Sequence, residues 1–269
     1  MTVLAEIVAA ARRKVVQSRS TADMSALERQ AQSHVPRGFR KALENASKSG
    51  PAIIAELKKA SPSRGLIRAN FDAAALATEL SAAGATALSV LTDEEYFQGS
   101  LENLRNASSH APIPCLRKDF IVDEFQVVEA RANCADAILL IVAALEQKDL
   151  AQLAKRATEL QLDVLCEVHD EEELGRALDA GCELIGVNSR DLHTFKVDLG
   201  TAFRVADLLP FGVVAVAESG IESGRDIARL RAAGYDGFLV GESLMKAESP
   251  GAALKTLLTE ANAMTSGAD

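Results

Sequence analysis

The 269 residues contain no CxxC pair, no G-x-G-x-x-G or Walker loop, no long basic run and no apolar run of bilayer length. Each absence removes a class of function. Cys166 and His169 form one C-x-x-H, but no second ligand pair accompanies it, so no zinc site is expected. The four cysteines are Cys115, Cys134, Cys166 and Cys182. Cys115 and Cys166 sit in apolar, strand-like runs as small core residues, and the thiols are expected to be reduced. The missing glycine fingerprints argue against an open, doubly wound nucleotide-binding sheet. A formal charge of −9 argues against non-specific binding to nucleic acid or to a membrane surface. Any anionic ligand must therefore be met by positive charge gathered locally. At the N-terminus, Glu6 interrupts the apolar stretch and Arg12, Arg13 and Lys14 follow it, the wrong order for a secretory signal. Leu4, Ile7, Val8, Ala11 and Val15 recur at helical spacing instead. A cytoplasmic protein is expected.

What is present is a rhythm. Short apolar runs cover 52–57, 87–92, 114–120, 137–142, 163–168, 184–189, 213–219 and 237–242. Between them lie Ala-, Leu- and Glu-rich stretches with helical periodicity, among them 71–82, 147–160, 171–180 and 224–233. Strand-then-helix repeats predict a parallel sheet, and strands buried on both faces explain why the runs are continuously apolar. Gly84, Gly181 and Gly234 each fall just past a helical stretch and before a strand, where glycine takes the left-handed cap conformation. Eight runs favour a closed (β/α)8 TIM barrel over an open sheet. The first 50 residues, with helices near 2–17 and 38–47 and a Ser/Pro-containing link between, are too short for their own core. They are expected to pack on the barrel as an N-terminal helical extension of a single domain, 1–269.

A barrel places its chemistry at the C-terminal ends of its strands. The polar residues there are Glu56 and Lys58, Lys118, Glu167 and His169, Asn188 and Arg190, Glu218 and Ser219, and Gly241 and Glu242. A carboxylate set in a run as apolar as Val164-Leu165-Cys166 is paired or functional, because burying it unpaired is costly. His169 shows no partner signal and is expected to be a satisfied loop histidine. After the seventh run, Ser219 and Gly220 open a turn and Ser223 suits an N-cap. After the eighth, Gly241 and Glu242 open a short polar turn. Amides from these loops suit a phosphate dianion, with Ser61 in the SPSRG turn and Lys58 nearby.

The stretches IIAELKKASPSRG, SVLTDEEYFQGS, LRKDFIVDEFQ, LCEVHDEEEL, IGVNSRDL, VAESGI and FLVGESLM, in this order, resemble indole-3-glycerol phosphate synthases over essentially the whole chain. The resemblance implies ring closure of 1-(o-carboxyphenylamino)-1-deoxyribulose 5-phosphate to indole-3-glycerol phosphate, with loss of carbon dioxide and water and with no metal or cofactor. It implies Lys118 as general acid and Glu167 as acid/base, with Lys58 assisting. The division of proton transfers between the two lysines stays open. Glu56 and Glu218 would hold the lysines, and Asn188 and Arg190 would orient substrate. Ser61, Gly220, Gly241 and the backbone of Glu242 would hold phosphate, Ser219 would also bind substrate, and Phe97, Phe120, Leu139 and Leu192 would wall the aromatic ring. Ser189 departs from the second asparagine of many relatives but keeps a hydroxyl. The alternatives are a Schiff-base aldolase using Lys118, which needs a depressed lysine pKa, a sugar-phosphate isomerase, and a non-catalytic barrel that senses a phosphorylated metabolite. Contact with another enzyme of the same pathway is left open.

Overall fold

The computed structural model describes residues 2–192 and 194–266. Eight parallel strands close into a barrel: β1 Ala52–Leu57, β2 Ala87–Leu91, β3 Cys115–Lys118, β4 Ala137–Ile141, β5 Asp163–Val168, β6 Leu184–Asn188, β7 Val214–Glu218 and β8 Gly237–Val240. Each strand pairs with its sequence neighbours, and β8 closes on β1 with Ile54 opposite Leu239. The strands are shorter than the apolar runs, for local reasons. Pro114 has no N–H to donate, and the Asp119 side chain accepts from Phe120 N at 2.9 Å, turning the chain out of the ladder. Gly241 leaves β8 to cap a short helix.

Successive strand residues face opposite sides, which divides the core in two. Ala52, Ile54, Leu116, Leu139, Leu165, Leu184, Val216 and Leu239 fill the interior of the barrel. The alternate residues, such as Ile53, Leu88, Ile138, Cys166, Ile185 and Phe238, face the surrounding helices. Along the interior register, toward the C-terminal rim, stand Glu56, Lys118, Glu167, Asn188, Glu218 and Gly241. The apolar filling and the polar mouth are thus one alternation carried one step further.

The outer helices are α4 Ala73–Ala82, α5 Leu101–His110, α6 Glu124–Ala132, α7 Gln147–Glu159, α8 Glu171–Asp179, α9 Gly200–Ala206, α10 Gly224–Ala232, the short α11 Glu242–Lys246, and α12 Pro250–Ser266. Gly84, Gly181 and Gly234 all have positive φ at the expected places. Ser223 caps α10 in a reciprocal box with Asp226.

The extension comprises α1 Val3–Thr21, α2 Met24–Ser33 and α3 Phe39–Ser47. Phe39 and Leu43 of α3 are fully buried and join the interior cluster, so α3 plugs the base of the barrel. Each contributes about 2–3 kcal/mol of apolar burial. Two expectations need correction. The link between the two foreseen helices is itself largely helical. The polar surface of α2 hides its signal, and only Leu27 and Ala31 pack, against Val128 and Ala132 of α6. Cys166 and Cys182, expected as thiols, are joined as a disulfide. Cys166 faces outward from β5 and Cys182 follows the cap of α8, so one strand-helix unit folds back on itself and brings them together, with Cα atoms 6.4 Å apart.

Candidate active site

The mouth of the barrel holds a cavity of about 580 Å³. Every residue singled out at the strand ends as catalytic or substrate-binding lines it: Glu56, Lys58, Ser61, Phe97, Lys118, Phe120, Leu139, Glu167, Asn188, Arg190, Leu192, Glu218, Ser219, Gly220, Gly241 and Glu242. Its floor is charged. Lys118 Nζ lies 3.0 Å from Glu167 Oε2 and 2.7 Å from Glu218 Oε2. Lys58 Nζ lies 2.6 Å from Glu56 Oε1. Burial opposes the charge of Lys118, but Glu167, Glu218 and Glu56 outweigh it and hold the ammonium well above the ordinary lysine range. The carboxylates part ways. Burial works against ionisation of both. Lys118, His169 and hydrogen bonds from Lys118 and Asn188 nonetheless pull Glu167 down. In Glu218, burial and the neighbouring Glu167 charge win, and its pKa is raised. One oxygen of Glu218, Oε1, is buried without a hydrogen-bond partner among the described residues.

Small residues make room for this cluster. A Cβ on Gly186 of β6 would overlap Glu218 Oε1, and one on Gly241 would meet Glu56. On the outer face of the sheet, the Arg117 side chain is buried and braces the end of β3. Its Nη2 lies 2.9 Å from both Asp119 and Glu129, and Thr92 Oγ1 donates to Asp119 at 2.6 Å. Lys118 and Phe120 flank Asp119, so this network fixes both of their backbones.

The walls divide by polarity. Phe97 and Phe120 stand with ring centroids 6.3 Å apart on one side, near Leu139 and Leu192. On the other side, Ser219 and Gly220 both take positive φ and turn the chain across the mouth beside Gly241, which caps α11. Glu242 sits in a cationic cluster: Lys246 Nζ is 2.6 Å and Arg64 Nε 3.0 Å from Oε1, and Arg190 Nη2 is 3.7 Å from Oε2. Arg190 N donates to Asn188 Oδ1 at 3.0 Å, tying the two residues together.

Several lining residues were not foreseen. Ser243 and Arg64 lie within stretches already quoted, and Lys246 directly follows one, but the three were passed over as turn residues. Val3, Leu4 and Ile7 of α1 reach the mouth as well, and no strand-end rule finds them. His169, expected as a satisfied loop histidine, is satisfied at Nδ1 but not at Nε2. Its Nδ1 lies 3.0 Å from Glu173 Oε2, and its Nε2 lies 3.5 Å from Glu167 Oε1.

Comparison with known proteins identifies the family. The family model described as indole-3-glycerol phosphate synthase matches residues 4–257. The indole-3-glycerol phosphate synthase of Koribacter versatilis is 59% identical over 247 residues, covering 92% of this chain and 95% of the relative. That of Acinetobacter baumannii is 46% identical over 258 residues, covering 95% of each. Among solved structures, KGPDC from Streptococcus mutans superposes with a TM-score of 0.63 at 13% identity, over 81% of this chain and 100% of that one. Thiamine phosphate pyrophosphorylase from Pyrococcus furiosus superposes with a TM-score of 0.61 at 18% identity, over 81% and 98%. At such identities these two structures speak for the barrel alone, whereas the family model and the close relatives span nearly the whole chain: it belongs to the indole-3-glycerol phosphate synthase family.

Proposed function

We propose that the mouth of this barrel carries out the family's ring closure with Lys118 as general acid and Glu167 as acid/base. The observation that carries this reading is the Lys118 ammonium, held between Glu167 and Glu218 on the cavity floor. A ketone is a poor electrophile, so attack by the aromatic ring on the carbonyl of 1-(o-carboxyphenylamino)-1-deoxyribulose 5-phosphate needs a positioned proton donor. The carbon–carbon bond forms as Lys118 protonates the carbonyl oxygen. Release of carbon dioxide from the ring carbon, and then of a proton and hydroxide as water, restores aromaticity and yields indole-3-glycerol phosphate. Glu167, kept ionised by its neighbours, takes and returns the proton in the dehydration. Lys58, paired with Glu56, supplies the second ammonium near carboxylate and phosphate. Glu218 holds Lys118, and Asn188 and Arg190 orient the reacting groups.

Phosphate would sit on the turn at Ser219 and Gly220, the amides after Gly241, and Ser61. That remote contact supplies binding energy for the folded substrate geometry. Phe97, Phe120, Leu139 and Leu192 would hold the anthranilate ring and exclude water. The Schiff-base alternative is disfavoured, because a nucleophilic lysine needs a lowered pKa and these carboxylates raise that of Lys118. A cytoplasmic setting without nucleic-acid or membrane partners belongs to the same reading. It is supported by the charge of −9, and among the described residues no helix is long and apolar enough to cross a membrane. The Cys166–Cys182 bond is the one feature that pulls the other way. The test is appearance of indole fluorescence, with release of carbon dioxide, from the anthranilate-derived substrate. Wild-type turnover with loss in Glu167→Gln supports the reading, and full activity in that variant refutes the role of Glu167.

A further inference from the structure

From the floor of the cavity outward, three residues form a line: Glu167 at the end of β5, His169 in the turn after β5, and Glu173 of α8. Glu173 Oε2 accepts from the His169 backbone N at 2.8 Å and from Nδ1 at 3.0 Å. Glu173 in turn is anchored by Asp170, the N-cap of α8, whose Oδ1 accepts from Glu173 N at 2.8 Å. Two bonds to one carboxylate oxygen fix both the tautomer and the direction of the imidazole. The ring then presents Nε2 to Glu167 Oε1 at 3.5 Å, within ion-pair range. That nitrogen is buried and, among the described residues, makes no hydrogen bond. A buried polar nitrogen without a partner is costly, so its aim calls for an explanation.

Lys118 supplies one. In the resting site Lys118 Nζ occupies Glu167 Oε2. When Lys118 turns its proton toward the substrate carbonyl, Glu167 loses its nearest cation in a buried setting. His169 is then the cation left beside it, on the opposite oxygen. We infer that His169 is a positioning residue for Glu167: aimed by Glu173, it holds Oε1 and keeps the carboxylate ionised while Lys118 is engaged with substrate. This rests on the proposed function and deepens it. The titratable groups facing the ring are Glu167 from β5, Glu173 from α8 and Glu218 from β7, all acidic, with Lys118 of β3 one carboxylate beyond. Burial opposes the imidazolium, but these carboxylates raise the His169 pKa above its ordinary value, consistent with a protonated ring.

The test has two arms on the full-length protein. In the first, imidazole resonances are titrated by NMR, with the His169 signal assigned by its loss in His169→Asn. A pKa above the ordinary value of about 6.5 is expected, falling back in Glu173→Gln. Titration at or below that value in the wild type overturns the proposal whether or not the enzyme turns over. In the second, kcat and KM are measured against pH. His169→Asn and His169→Gln should lower kcat about tenfold with KM little changed. Losing the cation disfavours the carboxylate, so Glu167 needs a higher pH to ionise, and the acid limb of kcat should move up by about one pH unit. Glu173→Gln should move it in the same direction by less. A loss of kcat with the acid limb unmoved marks a merely structural role and overturns the proposal. Wild-type protein that makes no indole product refutes the proposed function instead, and leaves the NMR arm to decide the ion pair.

Discussion

At the base of the barrel, Asp136 is fully buried, and both its oxygens are taken. Cys115 N donates to it at 2.6 Å, Arg37 N at 2.7 Å and Arg37 Nε at 3.0 Å, and His34 Nε2 lies 3.2 Å away. Arg37 spends its remaining donors on Ser108 and on the Ala111 carbonyl. At the mouth, Glu56, Glu167 and Glu218 are as deeply buried, yet they share two lysines, and Glu218 Oε1 has no hydrogen-bond partner among the described residues. Both clusters pay desolvation, which hydrogen bonds and opposite charge must offset. The base offsets it completely and becomes a brace for the β3 and β4 ends and for the extension. The mouth is left with spare acceptor capacity, which is what the proposed acid and base chemistry requires. On that proposal, satisfied and unsatisfied ion clusters at opposite ends of one sheet divide stability from reactivity.

The sharpest way to break that division is to remove one charged group from each end. Lys118→Met should lower kcat/KM by about 10³-fold or more, from loss of the general acid, with the far-ultraviolet dichroism unchanged. Asp136→Ala should do the reverse. Its Arg37 would be left half-buried without its carboxylate, costing about 3–5 kcal/mol in urea unfolding, while kcat well below the midpoint stays within about twofold. Large activity loss in the second variant, or retained activity in the first, would erase the contrast. Gly186→Ala sharpens it from inside the barrel. The added methyl must displace Glu218, so kcat should fall about 10- to 100-fold through a shifted Lys118, against a stability cost of about 1–3 kcal/mol from overpacking. A variant with normal kcat would show that the Lys118–Glu218 contact does not matter to turnover.

How much of this was legible without coordinates follows from the same division. The mouth could be read because strand periodicity is local: once Leu165 is placed inside the barrel, Glu167 must be inside too, and the same step takes Leu116 to Lys118 and Val216 to Glu218. Loop glycines and Ser223 declare themselves by their own backbone needs. The base could not be read this way. Nothing near Asp136 in sequence announces Arg37 or His34, which arrive about 100 positions earlier in the chain. Polar α2 was missed because its hold on α6 uses only a few apolar contacts. His169 was underrated for a related reason: Glu173, four residues on, looks like any acidic first-turn residue of a helix until the turn folds it back. Cys166 and Cys182 meet only because β5 and α8 are antiparallel neighbours.

The smallest expected effect probes the base by pH. Hydrogen bonding to Asp136 raises His34 from its ordinary value to about 9. Asp136 itself is lowered: burial opposes its ionisation, but the His34 and Arg37 bonds prevail. The imidazolium therefore binds its proton more tightly in the folded chain than in the unfolded one. The stability it contributes is fully present below the unfolded pKa of about 6.5 and is lost as the pH rises through about 9. Urea unfolding of wild type and His34→Gln should accordingly differ by a constant amount near pH 6, converge between pH 6.5 and 9, and coincide above that range. The kcat profile should be the same for both proteins throughout, because His34 lies at the end of the barrel opposite the proposed active site. A stability difference that grew with pH, or a kcat profile that moved with His34, would mean that the two ends are coupled rather than divided.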